Sequence, residues 1–514
     1  METRRTMARR RAKRLLLAGR DERGYVMILA MLVLVALGLA SAALLASALT
    51  NQQHVSRDRS YTQSLGVAEA GLNQYLWMVA SGSSSRSNGY AIAGNTGTNP
   101  LYEKIDLKDI YDQSVEGTYA ISVVAPTAVN SNVVVTVTGQ AAKAETATAR
   151  TVTATLGRPS FSQYLLLTND EVWIGGPLNR VWHGMTFSNT GICVDTANLN
   201  ATMSCSNATY SSSMFGGTHP GVWSGSQYTV PTNDASRAYW QFPVPAISFT
   251  TVTSDFVNLN GLAVGTGVNI PYSTSSAHDA TQGWFIQLLP NQQYQIKRVT
   301  GETETTTGSG GSLTTVAPTS PISGGIYSYP SNGIIFVNDN VWVQGTNLTG
   351  RITIASSGQL NGSGKNSATS IHVVGNLTYA AKDGTCKVGL IAQNNVEIPR
   401  YAPLDGTGSV ASQDMEIDAA LIAQQGKESC NAADQTGGGN YGPIRDMLTI
   451  YGSVSSYHTP YRSTVSGGNT LGGFVNGTNT YDDWLLHEPP PYFPTVGSYQ
   501  ILNWQELPNS QAVM

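Results

Sequence analysis

RGYVMILAMLVLVALGLASAALLASALTNQQHVSRDRSYTQSLGVAEAGLNQYLWMVA, residues 23–80, is the stretch that decides the architecture. From Tyr25 to Leu49 no side chain is charged. As a helix rising about 1.5 Å per residue, this run is roughly 37 Å long, enough to cross a bilayer whose interior penalises charge. The pattern does not break after Thr50. Residues 50–80 hold no proline, and Leu65, Ala68, Leu72, Leu76 and Val79 recur at spacings of three and four. That spacing places one apolar stripe along a helix, with Arg57, Asp58, Arg59 and Glu69 off or beside it. Ser81-Gly82-Ser83-Ser84-Ser85 favours turns and should end the helix. The sequence thus predicts one helix from Tyr25 to Ala80, roughly 84 Å long. Its first half is apolar all round and its second half is one-sided.

Upstream, residues 1–24 carry nine basic and three acidic side chains. A basic flank before an apolar span predicts a single-pass protein with residues 1–24 cytoplasmic and the body, after about Thr50, outside. The alternative is a cleaved secretory signal. Ala46-Ser47-Ala48 supplies an A-x-A site for it, but the apolar run is longer than such signals use. Of the chain's 29 basic and 33 acidic groups, 20 and 30 remain beyond residue 24. A body with that acidic excess does not attract phosphate backbones, so no nucleic-acid partner is expected. Only 12% of the 514 residues are charged and 53 are glycine. This composition excludes a coiled coil and a disordered polyelectrolyte, and favours polar, β-rich structure.

The N-terminal segment resembles the module of PilX-like type IV pilus assembly proteins, minor pilins with a class III-type leader. The resemblance covers about residues 20–80. It rests on a basic leader ending in Arg23-Gly24 and an apolar helix directly after that glycine. Arg57-Asp58-Arg59 and then Ala68-Glu69-Ala70-Gly71-Leu72 complete it. It implies cleavage between Gly24 and Tyr25 by a prepilin peptidase. It also implies membership of a pilus or pseudopilus and a surface filament once processed. The implied partners are other pilin-like subunits, the peptidase and membrane lipid. In major pilins the fifth mature residue is usually Glu, whereas the fifth residue from Tyr25 here is Leu29. That departure fits a low-copy subunit better than a repeating one.

The fold class expected is α+β. Thr118–Val124, Asn132–Thr138 and Arg150–Thr155 alternate in β-branched, period-two runs, predicting a small antiparallel sheet packed against the helix at Leu65–Val79. The expected order is a leader (1–24), a membrane span (25–49), a helix and sheet (50–157), a loop-rich β region (158–330), a β-solenoid-like domain (331–480) and an aromatic, Pro-rich cap and tail (481–514). The solenoid reading rests on short apolar runs near Ile334, Ile352, Ile371 and Gly389, about 18–19 residues apart. A β-sandwich is the alternative. Gly301–Ser320 reads as a flexible Thr/Gly/Ser excursion.

Cys193 with Cys205, and Cys386 with Cys430, are the disulfides expected from proximity, although four cysteines allow three connectivities and buried thiols are the alternative. No nucleotide loop, zinc spacing or nucleophile elbow is present, and seven dispersed histidines make no metal cluster. No catalytic, cofactor or metal residue is expected. The most enzyme-like feature is Asp414, Glu416 and Asp418, which alternate along one strand face. It motivates the alternative function of an anchored adhesin or carbohydrate-active protein with a surface glycan or host-cell ligand. The bland reading is a solvated outer face.

Overall fold

The computed structural model describes residues 3–81, 104–124, 132–142, 149–175, 181–194, 202–224, 240–272, 281–318, 322, 324–358, 368–404, 414–434, 441–496 and 499–507. It is a long N-terminal helix followed by mainly β structure, so the α+β class holds. Helix α1 spans Thr3–Ser81. It therefore begins well before Tyr25, because Arg, Lys, Ala and Leu in the basic head are good helix formers. Residues 25–59 of α1 are exposed on every side. From Ser64 onward one side is buried, through Val67, Ala68, Leu72, Tyr75, Met78 and Val79. The buried stripe sits about one residue round from the expected one, and Leu65 and Leu76 flank it as partly buried residues.

That stripe covers an antiparallel sheet. Strands β1 (Ile105–Lys108), β2 (Val115–Val124), β3 (Val133–Ala141) and β4 (Arg150–Gly157) pair in sequence order, and the C-terminal strand Gln500–Leu507 pairs with β4. The sheet has five strands, two more than the alternating runs predicted. Tyr119, Ile121, Val123, Val133, Val135, Val137, Val152, Ala154 and Leu156 meet the helix. The approach is too close for side chains at three glycines. A Cβ at Gly139 would strike the Ala68 backbone and lie 2.7 Å from the Ser64 carbonyl oxygen. One at Gly71 would lie 2.6 Å from the Tyr119 ring, and one at Gly117 2.6 Å from Val67. The Ser64 hydroxyl accepts from the Ala141 N–H at 3.0 Å, pinning the helix to the end of β3.

Everything between β4 and the last strand is an insertion into this sheet. Its short strands form parallel ladders. In one, Val268–Ile270, Ile334–Val337, Arg351–Ser356, Lys387–Ala392, Met415–Ala423 and Ile444–Ser456 pair successively. Leu166–Thr168, Thr186–Ser188, Met203–Cys205 and Trp240–Gln241 extend it from Ile444–Ser456. In a second ladder, Gly283–Leu289, Asn340–Leu348, Ile371–Tyr379, Val396–Ile398 and Glu428–Cys430 pair in the same sense. The 18–19-residue spacing seen in sequence is therefore not one repeat. Ile352 and Gly389 lie on the first ladder, whereas Ile371 pairs with Val341 on the second. The spacing mixed two faces of the chain's path.

First-ladder strands are buried on both sides, which is why IIFV at 334–337 is a continuous apolar run. Ile335 and Val337 enter the main core. Ile334 and Phe336 meet helix α2 (Thr251–Gly265) through Val252, Phe256, Leu259 and Ala263. Of Gly301–Ser320, residues 319–320 lie outside the described residues and the rest is not a free excursion. Its residues complete strand Gln293–Glu304 and supply Gly311–Val316, which pair antiparallel.

Gly139→Ala should cost about 2–3 kcal/mol or more, because neither backbone can yield. Gly66 on α1 has nothing within 4 Å of an added Cβ, so Gly66→Ala should stabilise the helix by about 0.5–1 kcal/mol. Hydrogen-exchange protection of β3 and of residues 64–79 reads both effects.

A second prediction concerns α2. Burial pushes the Asp255 carboxyl up to about 6, against the pull of Arg158. A folded-state value above the unfolded one means the ionised form is penalised in the fold. Stability is then lost as pH rises through roughly 4 to 6. Asp255→Asn should melt higher than the parent above pH ~7, and the difference should vanish below pH ~3.5.

Candidate functional site

The residues singled out at the N-terminus divide by environment. Gly24 and Tyr25 lie within the unbroken α1, with Tyr25 exposed. Leu29 is half-exposed, like its neighbours along the span. Ala68 and Leu72 are buried against the sheet, whereas Glu69 faces solvent. The Ala68-Glu69-Ala70-Gly71-Leu72 element thus has a physical meaning: Ala68 and Gly71 are small where the sheet comes closest, and Glu69 points away. Sequence reading missed Ser64, Tyr75, Gly117 and Gly139, which complete the contact. A glycine inside an otherwise β-branched strand is the signal that could have found Gly139.

The sheet's far edge is braced against the helix. Arg150 on β4 lies 5.2 Å over the Tyr61 ring of α1 and pairs with Glu506 of the last strand. At the junction, Val496 N–H donates to the Pro159 carbonyl at 2.7 Å and Phe161 N–H to the Pro494 carbonyl at 3.0 Å. The insertion leaves and re-enters through two adjacent, mutually bonded segments.

The four cysteines do not form the expected bonds: all are buried thiols. Cys205 belongs to the main core, while Cys193 lies in register between Trp173 and Trp223 on a separate three-stranded parallel sheet. Cys386 precedes a first-ladder strand and Cys430 ends a second-ladder strand. Proximity in sequence did not become proximity in register. Burial raises the Cys386 and Cys430 thiols, each to about 12, so neither is a ready nucleophile.

Asp414, Glu416 and Asp418 do alternate with the buried Met415 and Ile417. Lys382 occupies the space between the last two, 2.8 Å from Glu416 and 3.0 Å from Asp418. Its ammonium also lies 4.5 Å over the Tyr451 ring. Asp418 is fully buried and accepts from the Tyr379 N–H at 2.9 Å. Burial pushes its carboxyl up. Lys382 thus joins Glu416 and Asp418 in one ion-pair network, whereas Asp414 accepts from the Met447 N–H at 3.2 Å.

Two other polar clusters are buried. Lys387 and Asp482 pair at 2.5 Å with almost no solvent contact, joining the first ladder to the C-terminal segment. Tyr451 donates to the same carboxylate at 3.1 Å. Glu302 accepts from Trp342 at 2.9 Å and from Tyr401. His372 stacks on Trp342 at 4.6 Å, with Nδ1 3.6 Å from Glu397 and 3.9 Å from Glu302. Among the described residues, no three His, Cys, Asp or Glu side chains converge as a metal-binding set.

No family model and no curated protein matches this sequence. Among solved structures, the competence-associated pilin ComZ from Thermus thermophilus is similar at a TM-score of 0.27 and 11% identity. The match covers 87% of this chain and 97% of that one. A likeness of that size carries no argument about fold or function.

Lys387→Met alone should cost about 3–5 kcal/mol, because it strands Asp482 in the interior. Adding Asp482→Leu should recover much of the loss. Chemical denaturation followed by tryptophan fluorescence measures both.

Proposed function

We propose that the chain is a non-enzymatic, minor pilin-like component of a type IV pilus or related pseudopilus, of the PilX-like kind. One observation carries the reading. A helix that is charge-free over residues 25–49 and bare of other contacts over 25–59 docks residues 64–79, through small residues, on a compact antiparallel sheet. The bare half suits a membrane first and neighbouring helices afterwards. In this reading residues 1–24 form a cytoplasmic leader, Gly24-Tyr25 is the peptidase site, and the inserted β ectodomain is displayed outside on a surface filament. Its partners are other pilin-like subunits, the prepilin peptidase and membrane lipid. We read the two parallel ladders as a solenoid-like stack, because their short strands pair in parallel one above another and share one core. Leu29 favours a subunit present in few copies, at the tip or base.

N-terminal analysis of protein from sheared filaments and from membranes tests this. The expected result is a chain beginning at Tyr25 in the filament fraction, and retention of the uncut form in the membrane for Gly24→Val. A chain that keeps residues 1–24 and never enters filaments would leave only a tethered β protein.

A further inference from the structure

We infer that the turns at one corner of the first ladder form a binding groove for a neutral oligosaccharide, a role independent of the pilus reading. Asn394-Asn395 follow Lys387–Ala392, Gln425-Gly426 follow Met415–Ala423, His458-Thr459 follow Ile444–Ser456, and Asp170 follows Leu166–Thr168. These strands are ladder neighbours in that order. Backbone hydrogen bonds carry the ladder round the corner. Gln425 N–H donates to Gln393 at 3.0 Å, His458 N–H to Gly426 at 2.9 Å and Asp170 N–H to Tyr457 at 3.3 Å. At the usual strand spacing of about 4.8 Å, four corners make a column roughly 14 Å long. A shallow groove runs along it, with Met214 on its wall and Tyr461 and Lys427 at its border.

The chemistry of this groove selects its occupant. Lys427 donates to the Tyr461 hydroxyl at 2.7 Å and lies 3.7 Å from Asp434. His458 Nδ1 is 2.8 Å from Asp170. The charges are thus balanced locally, and a phosphate or polyanion finds no uncommitted cation. A peptide strand would need an open sheet edge, whereas the corner backbones are already bonded to one another. The Asn395 amide is spent on Glu397 and on the Lys427 N–H, and the Lys427 ammonium lies 4.2 Å over the Tyr461 ring. What remains are the Gln425 amide and, beyond a long 3.5 Å bond to Ser370, the Asn394 amide, which both donate and accept, and the aromatic surface bordered by Tyr461. Sugar hydroxyls need the first and pyranose C–H faces need the second. Tyr461 also borders an adjoining hollow with Trp173 and Trp182, which extends the aromatic surface. The Glu171 carboxylate accepts from Ser213 N–H at 2.8 Å and Met214 N–H at 2.7 Å, fixing the Met214 wall before any ligand arrives.

The test uses the full-length protein in lipid nanodiscs. It is titrated with maltohexaose, cellohexaose and chitohexaose by calorimetry and applied to an array of neutral glycans. Binding by at least one neutral glycan is expected, unchanged between low and high salt. Gln425→Ala, at an exposed side chain, and Tyr461→Ala should each weaken it about tenfold. Trp504→Ala, an exposed aromatic on the distant sheet, should leave it unchanged, and circular dichroism confirms that each variant is folded. Absence of binding to every neutral glycan at millimolar concentration overturns the proposal. So does binding that survives both groove substitutions, or binding that salt abolishes.

Discussion

The backbone of β3 at Gly139 touches the backbone of α1 at Ala68, and the rest of the molecule is arranged around that contact. Two main chains can approach this closely only where both residues lack bulk. One glycine on the strand, with alanine and glycine on the helix, satisfies the condition. The contact fixes the helix's rotation about its own axis. It therefore settles which side of residues 60–79 is buried and, through an unbroken helix, which way the bare residues 25–59 face. A larger side chain would change more than local packing, because the orientation of an exposed rod is set at its docked end.

Insertion of the β body between β4 and Gln500–Leu507 has a mechanical consequence. A domain attached by one linker can swivel, whereas one attached through two adjacent, paired strands resists rotation. At the other end of these two strands the Arg150 contacts with Tyr61 and Glu506 brace the sheet against α1. The Lys387–Asp482 pair adds a further constraint, since it ties the segment leading to the last strand onto the first ladder. A buried ion pair is a poor source of stability but a sharp source of geometry, because few arrangements satisfy both charges.

How much of this was legible depended on the range of the signal. The helix was readable because its periodicity is local, and the error of one residue in the stripe came from weighting Leu65 and Leu76 above Tyr75 and Met78. The three antiparallel strands were readable for the same reason. The fifth strand was not, since nothing near Gln500–Leu507 records that its partner lies some 350 residues earlier. The ladder register was half-legible. Apolar runs were found, but a chain that alternates between two ladders yields a false period. Glu416 and Asp418 share a strand face, as the alternation implied, whereas Asp414 precedes the strand. Their partner, Lys382, belongs to another turn and could not be seen from the alternation.

Leu29 is the remaining point of physical leverage. In an apolar bundle an unpaired carboxylate is costly, and so is an unpaired terminal amine. On the pilus reading proposed above, a subunit that carries Leu where major pilins carry Glu avoids the first cost but offers a neighbour no partner for the second. Packed repeatedly, such subunits would leave one buried amine per copy. Packed once, at the end of a filament, the amine that would have needed the partner belongs to no subunit. The large inserted body points the same way. On the same pilus reading, a large inserted body is accommodated more readily at a terminus than along a closely stacked shaft.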